Sequence, residues 1–376
     1  MDAKPTGPVA GLRAALRVAD RGTPTHAAQV VAGVPVYACA DHDPGDAATA
    51  RALSSEWADV LRIGAGVLVL RGAYADTAPV DAATATMTAL IAAERAAGTA
   101  QADHFAAAGA NDRLWNALQK LALAAPSVFV RYHGNPWVDL ACRAWLGPGY
   151  AMTAQVNLVH PGGAAQEAHR DYHLGFMTAE AAAAFPSHAH ALSPMLTLQG
   201  AIAHCDMPVE SGPTRLLPHS QLWAEGYVHF RDADVRTFFE AEAVQLPLAK
   251  GDCLFLNPAL LHAAGANRTS DVARLANLLQ VSSAMGVPME AVDRDAMARA
   301  LYPALAEPDL DPDVRRCAIA ACAAGYPFPT NLDTDPPAGG LAPPSQQALL
   351  TRALDEGWDQ ARFDAALDAA AAKRRP

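Results

Sequence analysis

The sequence predicts a mostly β core of antiparallel barrel or jelly-roll type, with helices on both flanks, and three observations carry that prediction. Residues 126 to 285 hold short apolar runs separated by Gly, Pro and Asp, the pattern of short strands joined by tight turns. The segments before and after them are Ala-rich with helical spacing. Hydrophobic residues make up 51% and charged residues 18% of the 376-residue chain, which supplies a buried core and argues against disorder.

Taken in order, residues 1–125 are expected to form a mainly helical N-terminal elaboration packing on the barrel. "DAATARALSSEWADVLRIGAG" and "DAATATMTALIAAERAAG" have helical periodicity, and the second closes on a Gly suited to a helix C-terminus. Between them "GVLVLRG" is a short apolar run bounded by Gly, a buried strand. The core, 126–285, is drawn from "SVFVRYHG", "AMTAQVNLVHPGG", "SPMLTLQGAIAHCD", "GPTRLLPHS", "VQLPLAKGDCLFLNPALLH" and "ARLANLLQVSSA". Residues 286–376 form a helical C-terminal extension. It is interrupted by the Pro-rich "GYPFPTNLDTDPPAGGLAPPS", after which Ser345 caps one helix over "QQALLTRALDEGWDQARFDAALDAAAAK".

The formal net charge is −11 and the sole basic cluster is the terminal "KRRP", so the chain lacks the electrostatic footprint for nucleic acid or an anionic membrane. A small-molecule substrate is expected. The N-terminal residues lack the apolar core of a signal peptide and no run of about 18 apolar residues could span a bilayer, which points to the cytoplasm. The six cysteines are scattered without a CxxC pair, as reduced core thiols would be.

The chemistry gathers at "AHRDYHLGF", residues 168–176. In an extended segment, side chains two apart share a face with Cα atoms roughly 6.6 Å apart. His169 and Asp171 could then converge on one ion. A mononuclear iron site that leaves positions open needs two His and one carboxylate on one face. The third donor is expected at His262, closing the strand-like "GDCLFLNPALLH". Further on, alternation in "ARLANLLQ" puts Arg274, Ala276, Leu278 and Gln280 on one face. An Arg pointing into a barrel is costly unless it meets an anion, which it can grip with two parallel hydrogen bonds. A 2-oxo acid cosubstrate fits, two of its oxygens on iron and its far carboxylate on Arg274. In "MTAQVNLVH" the polar Thr153, Gln155 and Asn157 alternate with apolar residues that would pack under helices. Gln155 and Asn157 would thus line the barrel mouth, or equally face solvent.

The HxD pair, "SGPTRLLPHSQ", the Gly251–Asp252 pair, "LLH" ending in His262, "AN" and a downstream Arg, in this order over roughly residues 150 to 285, resemble the phytanoyl-CoA dioxygenase family of iron(II)/2-oxoglutarate oxygenases. The resemblance implies a double-stranded β-helix, a cupin-like jelly roll. It implies His169, Asp171 and His262 as iron(II) ligands and Arg274, in preference to Arg268, as the 2-oxoglutarate anchor. Gln199 falls near a position that touches the cosubstrate. His160, where relatives often carry Lys, departs from the pattern. The implied reaction consumes O2 and 2-oxoglutarate, releases succinate and CO2, and hydroxylates an unactivated C–H bond. Asp171 favours that outcome over halogenation, for which a small residue replaces the carboxylate; desaturation or ring closure would use the same triad.

Around this site several residues have two readings. His173 shares the parity of the triad and is expected beside the metal ligands, orienting them or touching substrate and not itself a ligand. His204, His219 and His229 are expected to be structural. Tyr132, His133 and Trp137 border a pocket or simply pack. Residues 325–344 are expected to close over the site as a lid, since a radical reaction benefits from excluding water. Two rival functions share the donors: a metal-dependent cupin-like hydrolase or isomerase, which has no use for Arg274, and a non-catalytic binding barrel with a structural metal.

Overall fold

Strand β10 (Arg274–Ser282) is the centre of the molecule. Its Leu275, Leu279 and Val281 are β-formers buried on one face, and Arg274, Ala276, Leu278 and Gln280 occupy the other. In the computed structural model, which describes residues 7–17, 24–99 and 111–375, it pairs antiparallel with β5 (Ala151–Val159) on one side and β6 (Thr197–Ala203) on the other. Further strands are β1 (Gln29–Val31), β2 (Val34–Ala38), β3 (Val67–Arg71), β4 (Asn111–Leu114) and β8 (Cys253–Leu256). Among the described residues they complete an eight-stranded sheet of order β1-β2-β3-β8-β6-β10-β5-β4, antiparallel except for the β2–β3 pair.

A second, smaller layer faces it. β7 (Arg215–Leu216) pairs with β9 (His262–Ala263), and His169 bridges His262 from the other side. Backbone bonds Gln166 N–H to Ala264 O (2.9 Å) and Asp171 N–H to Pro258 O (2.9 Å) extend that pairing. A cavity of about 660 Å3 separates the two layers. The opposite face of the large sheet carries Val156, Leu198, Ile202, Phe255 and Leu279, all buried under helices in the main core. The apolar side of β5 therefore packs as its alternation predicts.

Three expectations are corrected. Residues 1–125 do not merely pack on the core: they supply four of the eight strands, β1 to β4. Their helices are amphipathic and conspicuous, whereas the strands are short. "SVFVRYHG" is a helix, Pro126–His133, and not a strand. Pro126 opens it at the first turn, and Phe129, Val130, Tyr132 and His133 are buried at helical spacing. Tyr132, His133 and Trp137 consequently lie in the helical core and do not line the cavity between the layers. The last helix is two, Gln346–Asp355 and Gln360–Arg374. Gly357 adopts φ 64°, which ends the first, and the Asp359 carboxylate accepts from Arg362 N–H at 2.8 Å to start the second. Ser345 caps the first of these, as expected.

The Pro-rich loop is not a lid in this structure: it lines no part of the cavity and instead rests on the C-terminal helix, through Asn331 to Arg375 O and Thr334 to Lys373 O. The six cysteines are free thiols, five of them buried. No helix among the described residues is long and apolar enough to cross a membrane.

The Gly251–Asp252 pair is a corner. Buried Asp252 accepts from Gly72 N–H (2.8 Å) and Ala249 N–H (2.9 Å), tying β3 to the start of β8. Gly251 sits at φ 90° against the Tyr74 carbonyl, where a Cβ would stand 3.0 Å away. Asp252→Ala leaves two inward donors unmet and is expected to destabilise the fold by about 1–3 kcal/mol, with Asp252→Asn intermediate; urea unfolding measures both.

Candidate active site

The cavity floor is set by register. Arg113, Gln155, Asn157, Gln199, Arg274, Ala276, Leu278 and Gln280 come from neighbouring strands at matched positions and all face it. From the facing layer come His169, Asp171 and His262. Every residue singled out from the sequence as a ligand or cosubstrate contact therefore lines one space.

His169, Asp171 and His262 each offer one donor atom, all within 4.8 Å of one another. Asp171 Oδ2 lies 3.5 Å from His262 Nε2 and 3.9 Å from His169 Nε2, and the imidazole centroids are 4.4 Å apart. Each ring is oriented by a backbone carbonyl: Nδ1 of His169 donates to Glu167 O (2.8 Å) and Nδ1 of His262 to Leu260 O (2.9 Å). This fixes the tautomer that leaves both Nε2 lone pairs pointing at Asp171. Burial, with His262 alongside, lowers the pKa of His169 and keeps its ring neutral. Burial works against ionisation of Asp171, but the neighbouring His169 and His262 imidazoles and the hydrogen bond from Gln199 outweigh it and hold the carboxyl at about 2. The three could hold one divalent ion.

Gln199 Nε2 donates to Asp171 Oδ2, so Gln199 touches the carboxylate directly. Gln155 is occupied within the protein, accepting from Arg113 Nη1 (2.9 Å) and donating to Gln280 (3.2 Å). Asn157 is different: its Oδ1 is buried with no protein partner and faces the cavity.

Arg274 is buried at the opposite end of β10 from Gln280. Its Nη1 donates to Ser211 O (2.9 Å) and Gly265 O (3.2 Å), and no carboxylate among the described residues pairs with it. Burial pushes its pKa down to about 10. Gly212, at φ 74°, allows this: a Cβ there would meet the Ala266 carbonyl at 2.4 Å, so only Gly lets the Ser211 carbonyl come close. The "SGPTR" element is thus the seat of Arg274, and its Arg215 donates to Gln166 O beside the triad segment at 2.9 Å. Arg268 is exposed.

His173 leaves the triad. Tyr172 (φ 60°) and His173 (φ 38°) turn the chain into a short 3-10 helix, and the His173 ring meets Ser193 Oγ at 3.1 Å. His204 bonds Thr84 and Tyr132, His219 the Gly64 carbonyl and His229 Asp232. His160 pairs with Asp112 at 2.7 Å, away from the cavity. Arg113, Trp115, Phe176, Arg231 and Met289 also line the cavity and had no signal in the sequence.

If the three donors form one site, the protein binds one equivalent of cobalt(II), read by its visible spectrum. Asp171→Ala and His262→Ala each weaken that binding at least about a hundredfold, and His173→Ala leaves it unchanged.

Residues 64–276 match the family described as Phytanoyl-CoA dioxygenase (PhyH). Over 147 residues the chain is 29% identical to Dioxygenase andF of Emericella variicolor, an alignment covering 37% of this chain and 45% of that protein. It is 29% identical over 160 residues to Multifunctional dioxygenase prhA of Penicillium brasilianum, covering 41% and 50% respectively. The match thus spans about half the length of these relatives. A solved structure of the non-heme alpha ketoglutarate dependent carbocyclase SnoK from nogalamycin biosynthesis is similar at TM-score 0.45 and 18% identity, over 65% of this chain and 95% of that one. With more than half of its length inside the family's bounds, this chain belongs to the phytanoyl-CoA dioxygenase family.

Proposed function

We propose that the chain is an iron(II)- and 2-oxoglutarate-dependent dioxygenase that hydroxylates an unactivated C–H bond of a small molecule, its two facing layers forming a double-stranded β-helix. The observation that carries this reading is the pairing, in one cavity, of the His169–Asp171–His262 donor set with a buried arginine that has no carboxylate. Two imidazoles and one carboxylate on one face suit iron(II) with positions left open. When bound, iron with 2-oxoglutarate and O2 supplies the oxidising chemistry, and succinate and CO2 leave as by-products.

The chain's own residues bind and orient. Backbone carbonyls hold the two rings in the Nε2-donor tautomer, and Gln199 steadies the Asp171 carboxylate. Arg274, with two of its N–H groups spent on carbonyls, keeps the rest for the far carboxylate of 2-oxoglutarate. Asn157, one strand over, adds a hydrogen bond there through its amide nitrogen, once the side chain is turned so that the nitrogen replaces the unpartnered oxygen. The free thiols accord with a cytoplasmic setting. The hydrolase and binding-barrel readings leave the Arg274 charge buried and unanswered, and fit less well.

The test is an anaerobic calorimetric titration of iron(II)-loaded protein with 2-oxoglutarate. One equivalent should bind, and Arg274→Ala should weaken it roughly ten- to a hundredfold, the worth of a charge-assisted pair. Absence of binding to the iron-loaded protein sinks the reading.

A further inference from the structure

A second cation stands at the cavity rim. Arg231 lies between the Gly226–His229 and Ala233–Glu242 helices and lines the cavity. Its Nη2 donates to Gly175 O at 2.7 Å and its Nη1 to Met177 O at 2.9 Å, across the turn that leaves the triad segment. Phe230 lies under the guanidinium, 4.1 Å from its ring centroid. These bonds use two of the five N–H donors and fix the group in place, so three donors remain.

Pairing and position separate this arginine from the others at the cavity, among them Arg113, which donates to Gln155 and lies over Trp115. Arg236 is paired with Glu167 at 3.0 Å, Arg170 is enclosed between Trp223 and Tyr227, and Arg274 lies deep in the cavity. Asp171 belongs to the donor set. Arg231 has carbonyls for partners and, among the described residues, no carboxylate. Carbonyls orient a guanidinium without neutralising it. Partial burial and the neighbouring Arg236 both lower its pKa, as they would where an anion is wanting.

The surroundings are apolar. Phe176, directly after the Gly175 carbonyl that Arg231 holds, is 55% exposed, and Met289 is 38% exposed; both line the cavity. Large apolar side chains held in water at the mouth of a cavity are covered when a ligand enters. Of the polar groups further in, Gln199 bonds Asp171, and Gln155 bonds both Arg113 and Gln280.

We propose that Arg231 is a specificity-determining residue that binds the carboxylate of an apolar small-molecule acid, whose body covers Phe176 and Met289 and extends into the cavity. This deepens the oxygenase reading by naming a substrate class, and rests on it for treating the cavity as the substrate site.

The experiment is calorimetric titration of iron(II)- and 2-oxoglutarate-loaded protein, under anaerobic conditions, with three probes of equal chain length: decanoate, 1-decanol and decyltrimethylammonium. Decanoate should bind at least about tenfold more tightly than decanol, and the cation more weakly than either. Arg231→Gln should bring decanoate down to the affinity of decanol, and Arg231→Lys should restore part of the difference. A strap that merely closes the turn would lower the melting temperature on substitution and leave the acid-to-alcohol ratio intact, which overturns the proposal. Equal binding of acid and alcohol in the wild type, or no binding of any probe to loaded protein, overturns it too while leaving the oxygenase reading standing. If 2-oxoglutarate itself fails to bind, the same ratio read in Arg274→Ala protein still decides whether Arg231 recognises the acid.

Discussion

The site depends on one reciprocal pair of backbone hydrogen bonds. His169 N–H donates to His262 O at 2.9 Å and His262 N–H returns to His169 O at 3.1 Å. Residues far apart in sequence become direct neighbours on one face of a narrow ladder, where side chains stand close enough to share an ion. Asp171 then follows from parity, two positions along the same extended segment. Its own N–H is anchored to Pro258 O, so the carboxylate cannot drift from the two rings. Without that ladder, three polar side chains at a cavity wall would have no common target.

The three side chains owe their arrangement and charge to their neighbours. Carbonyls at Nδ1 hold both rings in one tautomer and burial lowers the pKa of His169, while Asp171 stays ionised because His169, His262 and Gln199 outweigh its desolvation. Arg274 is the opposite case, a buried charge eased by two carbonyls and lowered in pKa by burial, with no carboxylate to offset it. A carboxylate partner would have made the arginine more comfortable and less able to bind anything else. Under the proposed function the missing partner leaves Arg274 free to receive an anion, and the Gly212 turn that brings in Ser211 O supports the guanidinium from behind.

The sequence points to His169, Asp171 and His262, which the fold brings together, because strand parity and the HxD spacing are local and His262 ends a strand-like run; Arg274 opens one that alternates. It discloses β5 for the same reason. It does not disclose β4, since four residues of "NDRL" carry no period, and so Arg113 and the edge of the cavity stay hidden. Nor does it separate Pro126–His133 from a strand, because "SVFV" satisfies β-propensity while the helix is decided by neighbours that bury Phe129 and Tyr132. His173 misleads for a different reason: parity holds only while the chain stays extended, and it ends at Tyr172. Arg231 could not be found from sequence at all, since its importance lies in which charges are absent around it.

The rigidity of the floor has its origin on the side of the sheet away from the cavity. There Asn277, between cavity-facing Ala276 and Leu278, donates to Tyr132 Oη at 3.0 Å, and Tyr132 bonds His204, which bonds Thr84 in the Ala78–Ala96 helix. His204 is itself on the chain directly after β6, so this buried network ties two strands of the floor to two helices of the core. Burial pushes His204 down to about 4 and keeps it neutral, so the network does not change its charge near neutrality. A hydrogen-bonded network in a dry interior resists displacement more strongly than apolar packing, because each broken bond leaves a group unmet. Side chains on the cavity face inherit that constraint through the strand they share. Arg274 and Gln199 can therefore wait in position on β10 and β6, and the ordering cost of binding is met when the protein folds instead of when the ligand arrives.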